Sequence, residues 1–390
     1  MNEPKPANKP EPLPHPVPAG GAPAAPRPRP VTALSADELV ALFRSWHEPA
    51  FRATQLQEFV FRRGVTCYAQ VTNLSKALRE RLASAAPLYE LELQAERSGD
   101  EAGKWLWKAA DGALIESVQI SSPDHHTSCL SSQVGCALGC VFCATGRSGF
   151  ERNLRAHEIV EQYLLMRAHS GVHCSHIVFM GMGEPLLNYD AVLAAVRTLN
   201  NPIPHGAAIA ARRITISTVG IPEAIRRLAG EKLQLELAIS LHAPDEETRL
   251  KLIPAAKRYS IAEIMHAAEE YSAKTRRLVT YEYVLLAGVN DSADQAGALV
   301  GLIQTHPCKV NLIPFNEVDG CDYRRPARAV QERFKSILEK ASIPVTIRLS
   351  KGNKVDAACG QLRRQTLGDN TDGSPQRHRD TENSRTQALE

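Results

Sequence analysis

Cys136, Cys140 and Cys143 place three thiols within eight residues, spaced C-x3-C-x2-C. A loop this short aims its thiols at one centre rather than at three separate packing roles. Three thiolates fill three irons of a four-iron, four-sulfur cluster and leave the fourth iron open to a small molecule. Purely electron-carrying clusters usually take four. A structural zinc site also takes thiolates and wants four ligands. Cys129 lies seven residues upstream of Cys136 and would complete such a set. The spacing leaves cluster and zinc both open.

Other candidates stand where apolar runs end. Gly181-Met182-Gly183-Glu184-Pro185 follows one such run. Pro185 biases Glu184 toward an extended backbone, and the glycines allow close backbone approach. Ser217 ends a second run, Ser240 and His242 a third, and Asn316 follows Pro314 at the end of another. Singly, each reads as a turn or cap residue. Together, beside a cysteine loop, they read as one shared site. Glu116 shares strand parity with Leu114, Val118 and Ile120. A carboxylate on an apolar face is costly without a task or a partner; the plainer readings are a solvent-facing surface or an Arg pair. Cys359, in Asp356-Ala357-Ala358-Cys359-Gly360, follows the last strand, where the chain can fold back over the strand ends. Cys67, Cys174, Cys308 and Cys321 have no motif around them and read as packing.

The elements that must position these residues are legible as patterns. Ser35-Ala36-Asp37-Glu38 is a capping box, and Leu39, Leu42, Phe43 and Trp46 then mark one helix face. Two short helices follow at about 53–63 and 75–84, with Arg52, Arg62, Arg63, Arg79 and Arg81 on polar faces. Trp105-Leu106-Trp107 and Leu114–Val118 flank Asp111-Gly112, a hairpin signal. Beyond the cysteine loop, strands read at 176–180, 213–217, 235–240, 279–286, 310–314 and 344–348. Helices read at about 155–169, 188–200, 221–230, 260–275, 292–305 and 326–341. The alternation predicts an α/β fold with a parallel sheet and covering helices. Six units suit an open partial barrel, a (βα)6 TIM-like arrangement, with its active site at the carboxyl edge of the strands.

The expected organisation is a Pro/Ala-rich leader over 1–33, a helical accessory domain over 34–86 and a β-rich link over 87–128. A catalytic core over 129–362 and a polar tail over 363–390 complete it. Eleven of the first thirty residues are proline, so the leader is set aside from fold reasoning. Net charge is only +3, which does not announce a nucleic-acid binder. Residues 41–83, however, carry seven Lys/Arg against three Glu; solvated helix faces explain that excess equally well. Nine cysteines without an apolar leader point to a reducing cytosol. No apolar run is long enough to span a membrane.

These motifs together resemble the RlmN/Cfr family of radical-SAM RNA methyltransferases, over about residues 35–362. The resemblance rests on Cys129-x6-Cys136-x3-Cys140-x2-Cys143, Gly149-Phe150-Glu151-Arg152-Asn153-Leu154, GMGEPLLN, ISLHAP and DAACGQL. It implies a radical-SAM barrel with a helical accessory domain, a 4Fe-4S cluster on Cys136, Cys140 and Cys143, and S-adenosylmethionine as cofactor. It implies that Gly183, Glu184, Ser217, Ser240, Leu241, His242 and Asn316 hold S-adenosylmethionine. Cys359 falls on the position that becomes methylated, Cys129 on the resolving cysteine, and Glu116 on the proton acceptor. In the chemistry so implied, one S-adenosylmethionine methylates Cys359 and a second yields a radical that activates that methyl group. The carbon adds to adenine, and Cys129 releases the product by attack on Cys359, leaving a transient disulfide. The implied substrates are 23S ribosomal RNA and some tRNAs. A flavodoxin- or ferredoxin-type donor supplies electrons to a cytoplasmic monomer. The Val134-Gly135-Cys136-Ala137-Leu138-Gly139-Cys140 and Ile313-Pro314-Phe315-Asn316 contexts look like the branch acting at adenine C2. The alternatives are the C8 branch and a non-catalytic, zinc-stapled RNA-binding protein. Glu317 and Lys354 depart from the family pattern.

Overall fold

The computed structural model describes residues 28–99, 101–316 and 321–348. Cys359, Glu317 and Lys354 lie outside them.

The described residues open on a 3-10 turn (Val31–Ala33) and three helices, α1 (Ala36–Ser45), α2 (Phe51–Glu58) and α3 (Lys76–Ala85). Ser35 caps α1 through the expected box: its Oγ accepts from Glu38 N, and Glu38 accepts from Ser35 N. A π-helical turn, Phe59–Arg63, continues α2 and ends at Gly64, whose φ of 65° suits a residue without Cβ. Most arginines here have intramolecular work. Arg52 donates to Asn73 O and Arg79 to Ala69 O, Arg62 pairs with Glu58, and Arg63 and Arg81 lie over the Phe59 and Trp46 rings.

Six strands follow: β1 (Glu92–Ser98), β2 (Ala102–Lys108), β3 (Leu114–Ser121), β4 (His126–Cys129), β5 (Gln133–Gly135) and β6 (Phe150–Asn153). Then come α4 (Ala156–Ser170), β7 (His176–Phe179), α5 (Tyr189–Asn200), β8 (Ile214–Thr218), α6 (Pro222–Ala229) and β9 (Glu236–Ser240). The chain continues through α7 (Glu246–Leu252), α8 (Ile261–Thr275), β10 (Val279–Leu285), α9 (Ala293–Ile303), β11 (Cys308–Pro314), α10 (Arg328–Lys340) and β12 (Val345–Ile347). Ten strands form one open sheet in the order β1-β2-β3-β4-β7-β8-β9-β10-β11-β12. Pairing from β4 through β12 is parallel, and β1 to β4 pair antiparallel.

One difference from the sequence reading stands out. The first parallel strand is β4, four residues of mixed polarity that carry no strand signal of their own. The β-rich segment before it joins the same sheet: β1 to β3 extend it through β4.

The two faces of the sheet differ in chemistry. On β11, Cys308, Val310, Leu312 and Pro314 are buried, while Lys309, Asn311 and Ile313 are half-buried. The buried parity joins Ile177, Ile216, Leu237, Tyr281 and the helices in one apolar core. The other parity carries Ser217, Ser240, Glu282 and Asn311; the register pairs Ser240 with Glu282 and Glu282 with Asn311, while Ser217 pairs with Ala238, two residues before Ser240. Cys129 pairs with Val118, and Glu116 lies two residues before Val118, so both share that polar-bearing face.

Helix α4 joins the parts. It is buried on nearly all sides and carries Glu158, Glu161 and Gln162 inside. Each is bonded. Glu158 accepts from Arg152 at 2.8 and 2.9 Å. Gln162 accepts from Ser131 N at 2.8 Å and donates to Ser131 O at 3.1 Å. Glu161 accepts from Thr32 Oγ1, and from the Glu90 and Leu91 N–H groups at 2.8 and 2.9 Å, so α4 holds the segments on either side of the N-terminal helices.

Burial pushes Glu161 up to about 8 against the donors that pull it down. An unfolded Glu titrates at about 4.3. The folded chain therefore holds a proton through that window that the unfolded chain lacks. The resulting stability is complete below about 4.3 and is lost as pH rises to about 8. Glu161→Gln mimics the protonated acid, donating to Thr32 and accepting both N–H groups. It should remove this pH slope and match or exceed the parent at pH 8. Glu161→Ala orphans the two N–H groups and should cost roughly 2–3 kcal/mol. Thermal unfolding between pH 5 and 8 checks both; an unchanged slope in the Gln variant counts against the assignment.

Candidate functional site

A cavity of about 310 Å³ opens at the carboxyl ends of the parallel strands. Cys136, Cys140 and Cys143 line it together with Gly183, Glu184, Ser217, Ser240, His242 and Asn316. These positions come from five separate stretches of chain, and the fold brings them to one space. Leu241 is buried behind this wall and donates its N–H to Glu282 O at 3.1 Å.

The cysteine loop is framed by a small hairpin. Strands β5 and β6 pair antiparallel, and Cys136 N donates to Gly149 O at 2.8 Å. Val141 N donates to Leu252 O at 3.1 Å, which fixes the loop to the end of α7. Burial pushes the Cys136 thiol up to about 12 and the Cys140 thiol well above its ordinary value. Without a metal these thiols stay protonated, and loading a metal must expel their protons.

Among the described residues, no three His, Cys, Asp or Glu side chains gather around a point that would hold a single ion. Cys129 sits in β4, buried and paired in register with Val118. Three thiolates on one loop match the ligand set of a four-iron cluster with one open iron, whereas a structural zinc site takes four ligands. A second observation fits an anionic group here. Arg249 is 1% exposed, and its Nε and Nη1 have no acceptor among the described residues. Its Nη2 donates to Val219 O at 2.5 Å, and Glu246 and then Cys140 lie within its electrostatic reach. A buried, under-bonded guanidinium near Cys140 suits a site that gains negative charge when loaded.

Glu184 is set by local geometry. Gly183 has φ of 98°, and a Cβ there would lie 2.5 Å from Gln133 Cβ. Gln133 Oε1 accepts from Glu184 N at 2.9 Å. The Glu184 carboxylate accepts from Leu186 N and Val219 N, each at 2.9 Å. Burial raises it to about 7 against these donors.

His242 adopts φ of 61°. Its Nδ1 accepts from Val284 N at 3.0 Å, and its ring meets the edge of Phe142 at 4.9 Å. Asn290, fully buried, donates to His242 O at 2.8 Å and to Val284 O at 2.6 Å. Burial, with the Arg249 charge nearby, lowers His242 to about 3.

Glu116 and Cys129 lie on the same sheet face but do not line this cavity. Glu116 is 2% exposed and its Oε1 lies 3.4 Å from Lys104 Nζ, so the partner is a Lys rather than an Arg. Its backbone is tied to the site: Ser131 Oγ donates to Glu116 O at 2.5 Å, Met182 N donates to Ser131 Oγ at 2.9 Å, and Glu116 N approaches Met182 Sδ at 3.4 Å. Cys321, read as packing, lies against the cysteine loop with Sγ 3.8 Å from Val141 O.

Sequence reasoning missed Arg249, Asn290 and Glu282. A helical Arg and a turn Asn carry no burial signal of their own. Glu282 did leave one: a carboxylate inside the apolar run of β10.

Residues 130–296 match the Radical SAM superfamily, and residues 31–88 match the Ribosomal RNA large subunit methyltransferase N-terminal domain. The chain is 44% identical over 330 residues to the probable dual-specificity RNA methyltransferase RlmN 2 of Protochlamydia amoebophila, covering 83% of this chain and 92% of that relative. It is 44% identical over 338 residues to the probable dual-specificity RNA methyltransferase RlmN of Gloeobacter violaceus, covering 87% and 96%. A crystal structure of a radical SAM methyltransferase from Sphaerobacter thermophilus superposes with a TM-score of 0.81 at 42% identity, covering 86% of this chain and 99% of that one. Radical-SAM chemistry carries with it a 4Fe-4S cluster and S-adenosylmethionine.

The His242 environment makes a checkable statement. Its ring should remain neutral, with the proton on Nε2, from pH 8 down to pH 5. Nitrogen-15 NMR of histidine-labelled protein reads this directly; a His242 signal titrating near the usual 6.5 would contradict the hydrogen bond from Val284.

Proposed function

This chain belongs to the RlmN family of dual-specificity RNA methyltransferases, and we propose that it methylates C2 of an adenine in 23S ribosomal RNA and the adenine beside the anticodon of some tRNAs. One observation carries the reading of the site: a single cavity gathers three cysteines with Glu184, Ser217, Ser240, His242 and Asn316. In this reading Cys136, Cys140 and Cys143 hold the cluster. Gly183, Glu184, Ser217, Ser240, Leu241, His242 and Asn316 hold S-adenosylmethionine.

Adenine C2 is electron-poor and does not attack a methyl sulfonium as an ordinary nucleophile would. Bound together, the cluster and S-adenosylmethionine would supply the one-electron chemistry, both the electron that activates a methyl C–H bond and the acceptor for the electron the adenine adduct must give up with its ring proton. The protein's residues do the rest. Cys359 carries the methyl group as a thioether and presents its carbon to the adenine. Glu116 takes the ring proton once the new C–C bond exists; burial beside Lys104 keeps this base away from bulk water. The Cys129 thiolate attacks the Cys359 sulfur, breaks its bond to the product carbon and leaves a disulfide between the two cysteines. The carbon takes a proton as it leaves, which completes the methyl group. A flavodoxin- or ferredoxin-type donor supplies electrons, and a reducing cytoplasm restores the thiols. The N-terminal helices grip RNA phosphates, with Arg62 and Arg63 at the π-helical turn.

Mass spectrometry of 23S rRNA and tRNA from cells lacking this chain tests the function. Loss of 2-methyladenosine is expected; loss of 8-methyladenosine would move the chain to the C8 branch, and loss of neither would remove the proposal. Replacing Cys136, Cys140 or Cys143 by Ala should remove bound iron from anaerobically purified protein, with full iron retention counting against the ligand set.

The two further cysteines should separate in their phenotypes. Cys129→Ala protein should carry RNA covalently through Cys359, seen as nuclease-sensitive excess mass. Cys359→Ala and the double variant should carry none, because no carbon bridge forms. Normal turnover by Cys129→Ala would remove Cys129 from the release step.

A further inference from the structure

Glu282 lies in the middle of β10, 2% exposed, and lines the cavity. One carboxylate oxygen is held: Asn311 Nδ2 donates to Oε1 at 2.9 Å, and Thr346 Oγ1 donates to Asn311 Oδ1 at 2.6 Å. The other oxygen, Oε2, has no hydrogen-bond partner among the described residues. Lys309 and Arg348 lie within electrostatic reach and favour the carboxylate form, while burial disfavours it. A buried carboxylate with one fixed and one open oxygen is costly unless a ligand fills the opening.

Its position narrows the ligand. Glu282 pairs in register with Ser240, and its carbonyl accepts from Leu241 N and His242 N at 3.1 and 3.4 Å. It is therefore built into the same wall as the serine and histidine of the cofactor site. The cysteine loop belongs to another part of that wall, between β4 and α4. S-adenosylmethionine with its methionine end at the cysteine loop would bring its adenosine to this wall. Adenosine offers a vicinal diol whose O–H groups need acceptors, and buried acidic side chains answer that need in dinucleotide-binding folds.

We propose that Glu282 is the acceptor for the ribose hydroxyls of S-adenosylmethionine, with Asn311 and Thr346 orienting it. This inference rests on the cavity's being the S-adenosylmethionine site. A buried acceptor that loses its O–H partner discriminates strongly against the deoxy analogue.

The experiment measures equilibrium binding of S-adenosylmethionine and of its 2′,3′-dideoxy analogue to cluster-loaded protein without RNA. Wild type should bind the analogue at least tenfold more weakly. Glu282→Gln should weaken S-adenosylmethionine by about tenfold, lose most of that discrimination and keep full iron content. Discrimination retained in Glu282→Gln, or equal affinity for both ligands in wild type, overturns the proposal. Intact S-adenosylmethionine binding with impaired capture of the target RNA also overturns it, and assigns Glu282 to the substrate instead. If Glu282→Gln does not fold, Glu282→Asp is compared in its place, and the wild-type comparison of the two ligands can still refute the idea. Failure of wild type to bind S-adenosylmethionine at all would instead refute the reading of the cavity.

Discussion

Val219 is gripped from both sides. Its N–H donates to the buried Glu184 carboxylate, and its carbonyl accepts from the buried Arg249 guanidinium. One backbone residue thus links the Glu184 carboxyl, which lines the cavity, to the buried Arg249 guanidinium. Neither group is solvated, and a bare buried charge costs several kcal/mol. The fold meets this with oriented backbone N–H groups at Glu184 and leaves Arg249 under-bonded. The wall is organised for ligands that bring charge with them. The same dryness pushes the Cys136 and Cys140 thiols up and His242 down.

Rigid supports hold that wall. Gln162 of α4 bonds both the N–H and the carbonyl of Ser131, and Ser131 in turn bonds Glu116 and Met182. Asn188 donates to Ser132 O and Leu154 O, both at 2.8 Å, and so closes the flanks of the cysteine loop. These groups are buried and stand behind the residues that line the cavity. Their effect is to fix the separation of Glu116, the glycine-rich turn and the cysteine loop, which chemistry between those positions requires.

The legible parts of the chain were those with local patterns. Strands β7 to β12 and helices α4, α5, α6, α8, α9 and α10 announced themselves by apolar runs and caps, and the hairpin by Asp111-Gly112, whereas the short α7 did not. Strand β4 was silent because His-Thr-Ser-Cys has neither alternation nor length; its pairing comes from β3 and β7 on either side. The cavity residues at strand ends were legible because polar groups interrupt apolar runs there. Arg249 was not, since a helical arginine reads as solvent-facing until the cysteine loop packs over it. The Lys104–Glu116 pair was half legible: Glu116 broke an apolar parity, but Lys104 needed the antiparallel register to become its diagonal neighbour.

Thiols raised this far by burial are poor metal ligands until their protons leave, so cluster insertion is coupled to proton release and to the local field. Arg249 supplies positive potential beside Cys140, which favours the thiolate. If these thiols hold the cluster, its irons would replace the protons as counter-charge, and the desolvation that opposes bare thiolates would then favour the bound metal. The close packing of α7 on the loop, through Val141 N and Leu252 O, is therefore part of the site's electrostatics as well as its scaffold.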